Sequence, residues 1–142
     1  MYKRQVAASR WAGTGSVASA KLLPQSVVQL APPSGNPALP NTGAEMAVSR
    51  DGRYLYASVR GADQLTVLAI DPADHTRLTL LQQIPCEGKK PRFFALDPSG
   101  KWLLCANQDS STVTIFARDS QTGRLTSHGK QAAPSPMCIV WL

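Results

Sequence analysis

An internal repeat constrains the fold of this chain more than any other feature of its sequence. Residues Ala44 to Asp71 align without a gap with residues Arg92 to Asp119. In each copy an apolar run leads to a turn that contains glycine, a second apolar run, a polar break and a third apolar run. This order predicts strand, tight turn, strand, loop and strand. Each copy is therefore interpreted as one structural unit.

A fourth strand is expected to close each unit. Turn residues follow Asp71 and Asp119, and the segments that begin at Arg77 and Arg124 return to a pattern typical of strands. Four antiparallel strands, repeated at this length, are typical of a β-propeller blade. The alternative is a β-sandwich with similar hairpins, but the ungapped register favours the propeller. The sequence thus predicts an all-β fold.

Two blades cannot close a ring, because a propeller needs roughly four to eight. The flanking segments are therefore interpreted as parts of neighbouring blades. We expect residues 6–43 to be the third and outer strands of a preceding blade, 44–86 and 91–133 to be complete blades, and 135–142 to be a closing strand. Met1 to Gln5 resemble the translation of a sequencing-library adapter and are set aside. The predicted architecture is the C-terminal part of a single β-propeller domain.

Charge and hydropathy narrow the partners that the chain is expected to have. The net charge is +6, but the basic residues are scattered along the sequence, which does not favour nucleic-acid binding. No apolar run approaches the roughly 20 residues that span a bilayer, so no membrane partner is expected. A small anionic ligand accounts for the mild positive bias.

The three cysteines show no metal or disulfide pattern. Cys86, Cys105 and Cys138 are odd in number and widely spaced, and none belongs to a CxxC motif. Cys105 and Cys138 lie in apolar segments and are expected to be buried thiols in a reducing compartment, whereas Cys86 is expected to be more open. The sequence predicts no metal site.

Chain topology places a set of polar residues at one end of the ring. Because neighbouring strands run antiparallel, the loop that enters a blade and the loop between its second and third strands share one end. His75 and His128 fall elsewhere, so neither is expected in a central pocket. Cations and amides gathered near the axis suit an anionic, oxygen-rich small molecule. The residues at this end are Glu45, Ser58, Arg60, Gly61, Lys89, Lys90, Arg92, Asn107, Gln108 and Asp109.

Each of these residues also has a structural interpretation. Arg60 and Arg92 could be ordinary loop arginines, and Glu45 could form an ion pair between blades. Asn107 and Gln108 could cap a turn. Their placement at one end favours the functional interpretation.

Five segments resemble the last blades of the seven-bladed lactonase family, which includes a bacterial 6-phosphogluconolactonase and a fungal carboxymuconate cyclase. The resemblance extends from about Leu22 onward. It implies that the C-terminal strand completes the ring beside the first blade. The segments are Ala44 to Met46, Asp51 to Gly61, Gly88 to Ala95, Gly100 to Gln108 and Pro134 to Val140.

The family resemblance implies hydrolysis of 6-phospho-D-glucono-1,5-lactone to 6-phosphogluconate, in the pentose phosphate pathway and the cytoplasm, without metal or organic cofactor. Arg60 matches the family's Ser-Asn-Arg-Gly pattern, and Arg92 its Pro-Arg-x-Phe pattern. Val59 departs from the family, which has Asn or Asp there. The family's proposed His residues and its Asn-Glu motif belong to earlier blades.

The expected catalytic residues are Arg60 and Glu45, and the expected substrate-binding residues are Lys90, Arg92, Asn107 and Gln108. The arginines would stabilise negative charge on the lactone carbonyl or the phosphate, and the amides would orient hydroxyls. A carboxylate flanked by arginines is a poor base, so the general base is expected on earlier blades. The alternatives are another lactone-opening or lactonizing enzyme and a non-catalytic binding propeller. The isolated fragment is expected to be inactive without the missing N-terminal blades.

Overall fold

The computed structural model describes residues 5–12, 21–30 and 40–142, and every regular element among them is a β-strand. In chain order these strands are β1 (Gln5–Ala12), β2 (Lys21–Gln29), β3 (Thr42–Val48), β4 (Tyr54–Arg60), β5 (Gln64–Ile70), β6 (Leu78–Pro85), β7 (Pro91–Leu96), β8 (Trp102–Asn107), β9 (Thr112–Arg118) and β10 (Leu125–Ala132).

The two repeats form two separate sheets, as the sequence predicts. Strands β3 to β6 make one four-stranded sheet in sequence order, and β7 to β10 make the other. All neighbouring strands within each sheet are antiparallel. The prediction of four-stranded antiparallel blades is confirmed, and we call them blade I (β3 to β6) and blade II (β7 to β10).

The two strands expected from a preceding blade also pair with each other. Strand β1 lies antiparallel to β2, with Gln5 opposite Gln29 and Ala12 opposite Lys21. Strand β1 thus begins at Gln5, the last residue of the segment that sequence analysis set aside. We call this two-stranded sheet the tail sheet.

Residues 135–142, predicted as a closing strand, do not pair with any strand in the described part of the chain. The family resemblance assigns their partner to the first blade of the ring, and no such blade is among the described residues. Without that neighbour the segment leaves Val140 at 72% exposure.

Alternating side chains of each blade enter two different cores. Tyr54 and Tyr56 of β4 face a cluster shared with Phe94 and Phe116 of blade II. Ala57 and Val59 lie on the other face of the same strand. They pack in a second cluster beside Leu30. This is the period of two that a pleated strand imposes. Blades stacked face to face in this way position the loops at their ends as a rigid set.

Candidate active site

A cavity of about 430 Å³ lies where the turn after β4, the connector between the blades and the turn after β8 meet. These are the loops that strand direction assigns to one end of the ring. The cavity is lined by Pro40, Thr42, Arg60, Gly61, Asp63, Lys89, Lys90 and Asp109. Arg60, Gly61, Lys89, Lys90 and Asp109 were placed at this end from the sequence alone.

Arg60 is the last residue of β4 and lies opposite Thr42 of β3. Its Nη2 donates to the carbonyl oxygen of Gly43 at 3.1 Å. Its Nε is buried and has no hydrogen-bond partner among the described residues. An unpaired buried donor is costly, and the half-buried guanidinium also lines the cavity, where its exposed N–H groups can meet an acceptor.

Lys90 is fixed in place by contacts along its whole length. Its backbone N–H donates to Asp63 Oδ1 at 2.9 Å, and its carbonyl accepts from the N–H of Gln108 at 3.1 Å. Its Nζ lies 3.3 Å from Asp109 Oδ1, and both side chains are about half exposed. The charge of Lys90 is thus already compensated by a carboxylate.

The remaining cations of the cavity have no such compensation. The described part of the chain gives neither Arg60 nor Lys89 a carboxylate oxygen within 4.0 Å. Lys89 is exposed, and its backbone N–H is held by Ser110 Oγ at 3.0 Å. The cavity therefore offers a guanidinium and an ammonium group to an anion.

Two predicted site residues, Glu45 and Arg92, lie on inner strands outside the cavity lining. Glu45 falls within a bulge of β3, and its Oε1 accepts from the N–H of Met46 at 3.0 Å. Arg92 falls within the corresponding bulge of β7 and is exposed. Bulges redirect side chains, and this displacement is not visible in the sequence.

Asn107 is fully buried between the blades and has a structural role in this arrangement. Its Nδ2 donates to Thr114 Oγ1 at 2.9 Å and to the carbonyl of Cys86 at 3.3 Å. Its Oδ1 accepts from Cys105 Sγ at 3.5 Å. Because all its polar atoms have internal partners, Asn107 is not free to orient a substrate hydroxyl.

Gln108 differs from its neighbour, because its Oε1 is buried without a hydrogen-bond partner in the described residues. Its Nε2 donates to the sulfur of Met137 at 3.6 Å. Of the two predicted amides, Gln108 is therefore the one with an unpaired polar atom, but neither amide belongs to the cavity lining.

Asp63 lines the cavity and accepts from the N–H of Lys90, although it is not among the site residues predicted from the sequence. The sequence signal that could have indicated Asp63 is its place after Gly61 in a tight turn. Asp adopts the left-handed conformation more readily than most residues do. Its φ angle is 49°.

The cysteines correct two of the sequence expectations. Cys86, expected to be open, is fully buried, and burial raises its pKa to about 11. Cys138, expected to be buried, is exposed because residues 135–142 have no strand partner. Cys105 is buried as expected, and burial raises its pKa as well. Burial and a raised pKa do not favour Cys86 or Cys105 as a nucleophile.

The histidines lie away from the cavity, as expected. His75 lines a different space beside Asp51 and Tyr54, and His128 packs on Trp102 with ring centroids 4.8 Å apart. No group of three or more His, Cys, Asp or Glu side chains within the described ranges could hold a metal ion. Those ranges also contain no helix with the length and apolar character needed to cross a bilayer.

Comparison with known proteins places this geometry in a family. The sequence profile of the family described as "Lactonase, 7-bladed beta-propeller" matches residues 7–141. A 6-phosphogluconolactonase of Formosa agariphila is 44% identical over 84 residues, which cover 58% of this chain and 24% of that protein. A 6-phosphogluconolactonase of Bacillus subtilis is 32% identical over 101 residues, covering 70% of this chain and 29% of that protein.

A solved structure extends the match to three dimensions. The periplasmic gluconolactonase of Pseudomonas aeruginosa superposes with a TM-score of 0.79 and 32% identity, over 94% of this chain and 35% of that one. The chain thus spans about a third or less of the length of these relatives. It belongs to the lactonase family of seven-bladed β-propellers.

Proposed function

We propose that the complete ring to which this chain contributes hydrolyses 6-phospho-D-glucono-1,5-lactone to 6-phosphogluconate, a step of the pentose phosphate pathway. Support for lactone hydrolysis comes from family membership and from the names of the two curated relatives. The observation that carries the phosphorylated substrate is the pair of uncompensated cations, Arg60 and Lys89, on the cavity wall. A phosphate group carries the charge and oxygen atoms that such a pair binds.

Arg60 has the strongest claim to contact the substrate. The guanidinium presents a planar fork of donors, and its unpaired Nε leaves part of that fork unused. In the proposed complex Arg60 bonds the phosphate or the developing oxyanion of the lactone carbonyl. Either contact lowers the barrier if it strengthens in the transition state.

Lys90, Arg92 and Gln108 have supporting parts in this proposal. Lys90 remains a substrate-binding residue through the positive end of its ion pair with Asp109. Arg92 extends the positive field at the start of β7, and Gln108 supports the site through its backbone N–H, which bonds the carbonyl of Lys90. Asn107 acts indirectly, by holding the connector that carries the lysines.

The general base is expected on other blades of the ring. Lactone hydrolysis needs an activated water molecule. Asp63 and Asp109 both line the cavity, but each already accepts a bond from Lys90. Glu45 is a weaker candidate because its carboxylate lies outside the cavity lining. The 142-residue chain alone is therefore proposed to be inactive, and the missing N-terminal blades are its necessary partners.

A second candidate is hydrolysis of a lactone without phosphate. The periplasmic gluconolactonase neighbour favours it. The presence of Val59 where the family has Asn or Asp does not favour this second candidate. Val59 is fully buried beside Leu30 and Leu68, so the change removes no group from the cavity wall. We propose a cytoplasmic location on the basis of the phosphorylated substrate, and fractionation of the source cells tests it.

The test compares the two lactones in one protein. A ring chimera, in which this chain replaces the matching part of the Bacillus subtilis relative, supplies the missing blades. We expect kcat/KM for the phosphorylated lactone to exceed that for glucono-1,5-lactone by about 100-fold, since two cations contact the phosphate. Equal values would favour the second candidate, and no turnover of either lactone would contradict lactonase activity.

A further inference from the structure

One aspartate holds both ends of the connector that joins the two blades. Asp63 follows β4 with a φ angle of 49°. Its backbone carbonyl accepts from the N–H of Cys86 at 2.9 Å, where the connector begins. Its side-chain Oδ1 accepts from the N–H of Lys90 at 2.9 Å, where the connector ends. The five residues from Cys86 to Lys90 therefore form a loop whose two ends bond the same residue.

A similar arrangement recurs in the second repeat, with a different side chain and with the two donors closer together in the chain. Ser111 is aligned with Asp63 and has a φ angle of 51°. Its carbonyl accepts from the N–H of Ala133 at 3.0 Å, and its Oγ accepts from the N–H of Ser135 at 3.3 Å. Both blades thus have a left-handed residue with a side-chain acceptor at this position, and in blade II that residue is a serine.

The connector conformation explains why such a hold is needed. Lys90 has a φ angle of 58° and precedes Pro91, and Glu87 has a φ angle of 57°. A residue with a β-carbon adopts this conformation only when its surroundings impose it. The bond from the Lys90 N–H to Asp63 is one such constraint on the loop that carries Lys89 and Lys90.

Asp63 places a negative charge on the wall of the cavity. A carboxylate on the wall of a cavity that binds an anion weakens that binding by direct repulsion. A serine in the same place, as in the second repeat, would avoid the repulsion. A carboxylate accepts a hydrogen bond from an N–H more strongly than a hydroxyl does. This stronger hydrogen bond offsets the repulsion between Asp63 and the bound anion.

We propose that Asp63 is a positioning residue of the anion site, which fixes the connector so that Lys89 and Lys90 stay on the cavity wall that Arg60 also lines. This inference rests on the proposed function, because it takes the cavity to bind an anion. Asp63 acts through the backbone of Lys90 and does not contact the ligand.

Three variants of the full chain separate the hydrogen bond from the charge. Asp63→Asn keeps an oxygen acceptor and removes the charge. Asp63→Gly removes the acceptor as well and relieves the left-handed backbone, so loss of folding is not expected. Ser111→Gly is the matched control, because it makes the same backbone change at the aligned position outside the cavity lining.

Two readouts are measured for each variant: amide hydrogen exchange of Lys90, and the Kd for 6-phosphogluconate. Asp63→Gly should speed Lys90 exchange about tenfold and weaken binding about tenfold. Asp63→Asn should leave exchange within about twofold and bind as well as the parent or better, because the repulsion is gone. Ser111→Gly should change neither quantity at this site.

The proposal is overturned if Asp63→Gly binds 6-phosphogluconate as tightly as Asp63→Asn does. It is also overturned if Lys90 exchanges no faster in Asp63→Gly. Failure of the proposed function gives a different result: the parent chain binds no 6-phosphogluconate, while Lys90 exchange still decides whether Asp63 holds the connector.

Discussion

The carboxylate of Asp51 lies 3.3 Å from Nη2 of Arg118, across the boundary between the two blades. Arg118 is almost fully buried, and its Nε donates to the hydroxyl of Tyr56 at 2.7 Å. Tyr56 in turn donates to the carbonyl of Gly123 at 2.8 Å. A polar network therefore joins the first turn of blade I to the outer half of blade II, at the end opposite the candidate active site.

Replacement of Asp51 by Asn should destabilise the chain by about 1–2 kcal/mol at pH 7, because it leaves a buried arginine without its anionic partner. The hydrogen bond from Ser49 Oγ, with bonds from Arg53 and the charge of Arg118, holds the pKa of Asp51 well below its usual range. Urea unfolding at several pH values measures the effect.

The pH dependence of that difference follows from the direction of the shift. Because the folded-state pKa lies below the unfolded value of about 4, the stabilisation is full above about pH 4 and is lost as the pH falls further. The gap between parent and Asp51→Asn should therefore narrow below about pH 4. Asp71→Asn is the control for loss of a turn carboxylate that is in no ion pair with another described residue. Asp71 accepts from the N–H groups of Ala73 and Asp74. A gap that stays constant with pH would contradict the ion pair.

Gly88→Ala should destabilise the chain by about 1–3 kcal/mol, through overpacking. An added β-carbon would lie 2.4 Å from the side-chain amide of Asn107, which is buried and fully bonded. Gly129→Ala is a matched control, because a β-carbon there meets nothing within 4 Å. Thermal unfolding of both variants tests this, and equal melting temperatures would show that Asn107 can move aside.

The repeat in the sequence made the strand order and the loop ends predictable, because equivalent residues make equivalent contacts. Thr66 Oγ1 donates to the carbonyl of Leu30 at 3.0 Å, and the aligned Thr114 Oγ1 donates to the carbonyl of Cys86 at 2.8 Å. Each bond ties the middle of a third strand to the end of the preceding sheet. An ungapped alignment preserves such pairs, so the blade architecture follows from pattern alone.

The candidate site was only partly predictable, because side-chain direction depends on details that the repeat hides. Bulges in β3 and β7 move Glu45 and Arg92 out of the cavity lining. Asn107 has the polarity of a ligand-binding residue, but three-dimensional packing gives it internal partners. Asp63 was missed because its role depends on a bond to Lys90, and that residue lies in another loop.

Lysine substitutions on the inner strand of blade I should reduce self-association of the isolated chain. Met46 and Val48 of β3 are 53% and 52% exposed. They lie on the face of blade I towards the tail sheet, which has only two strands in the described part of the chain. Exposed apolar side chains on an edge strand favour aggregation, and charge there opposes it. Light scattering should show less association for the double variant Met46→Lys, Val48→Lys.

Leu80→Lys is the control for that experiment. Leu80 is 46% exposed on β6, the other edge strand of blade I, so it tests whether the inner edge is the one that associates. We expect it to leave self-association unchanged. An equal improvement from Leu80→Lys would mean that net charge, rather than the inner edge, governs solubility.

Turnover of 6-phospho-D-glucono-1,5-lactone by the ring chimera with Arg60 replaced by Ala tests whether this cavity is the active site. We expect a loss of at least about 100-fold in kcat/KM, because the variant removes a guanidinium that lines the cavity and has no carboxylate partner among the described residues. Arg77→Ala, at an exposed arginine of the outer turn, should keep the parent's rate. Near-normal turnover by Arg60→Ala would contradict the assignment of this cavity as the active site.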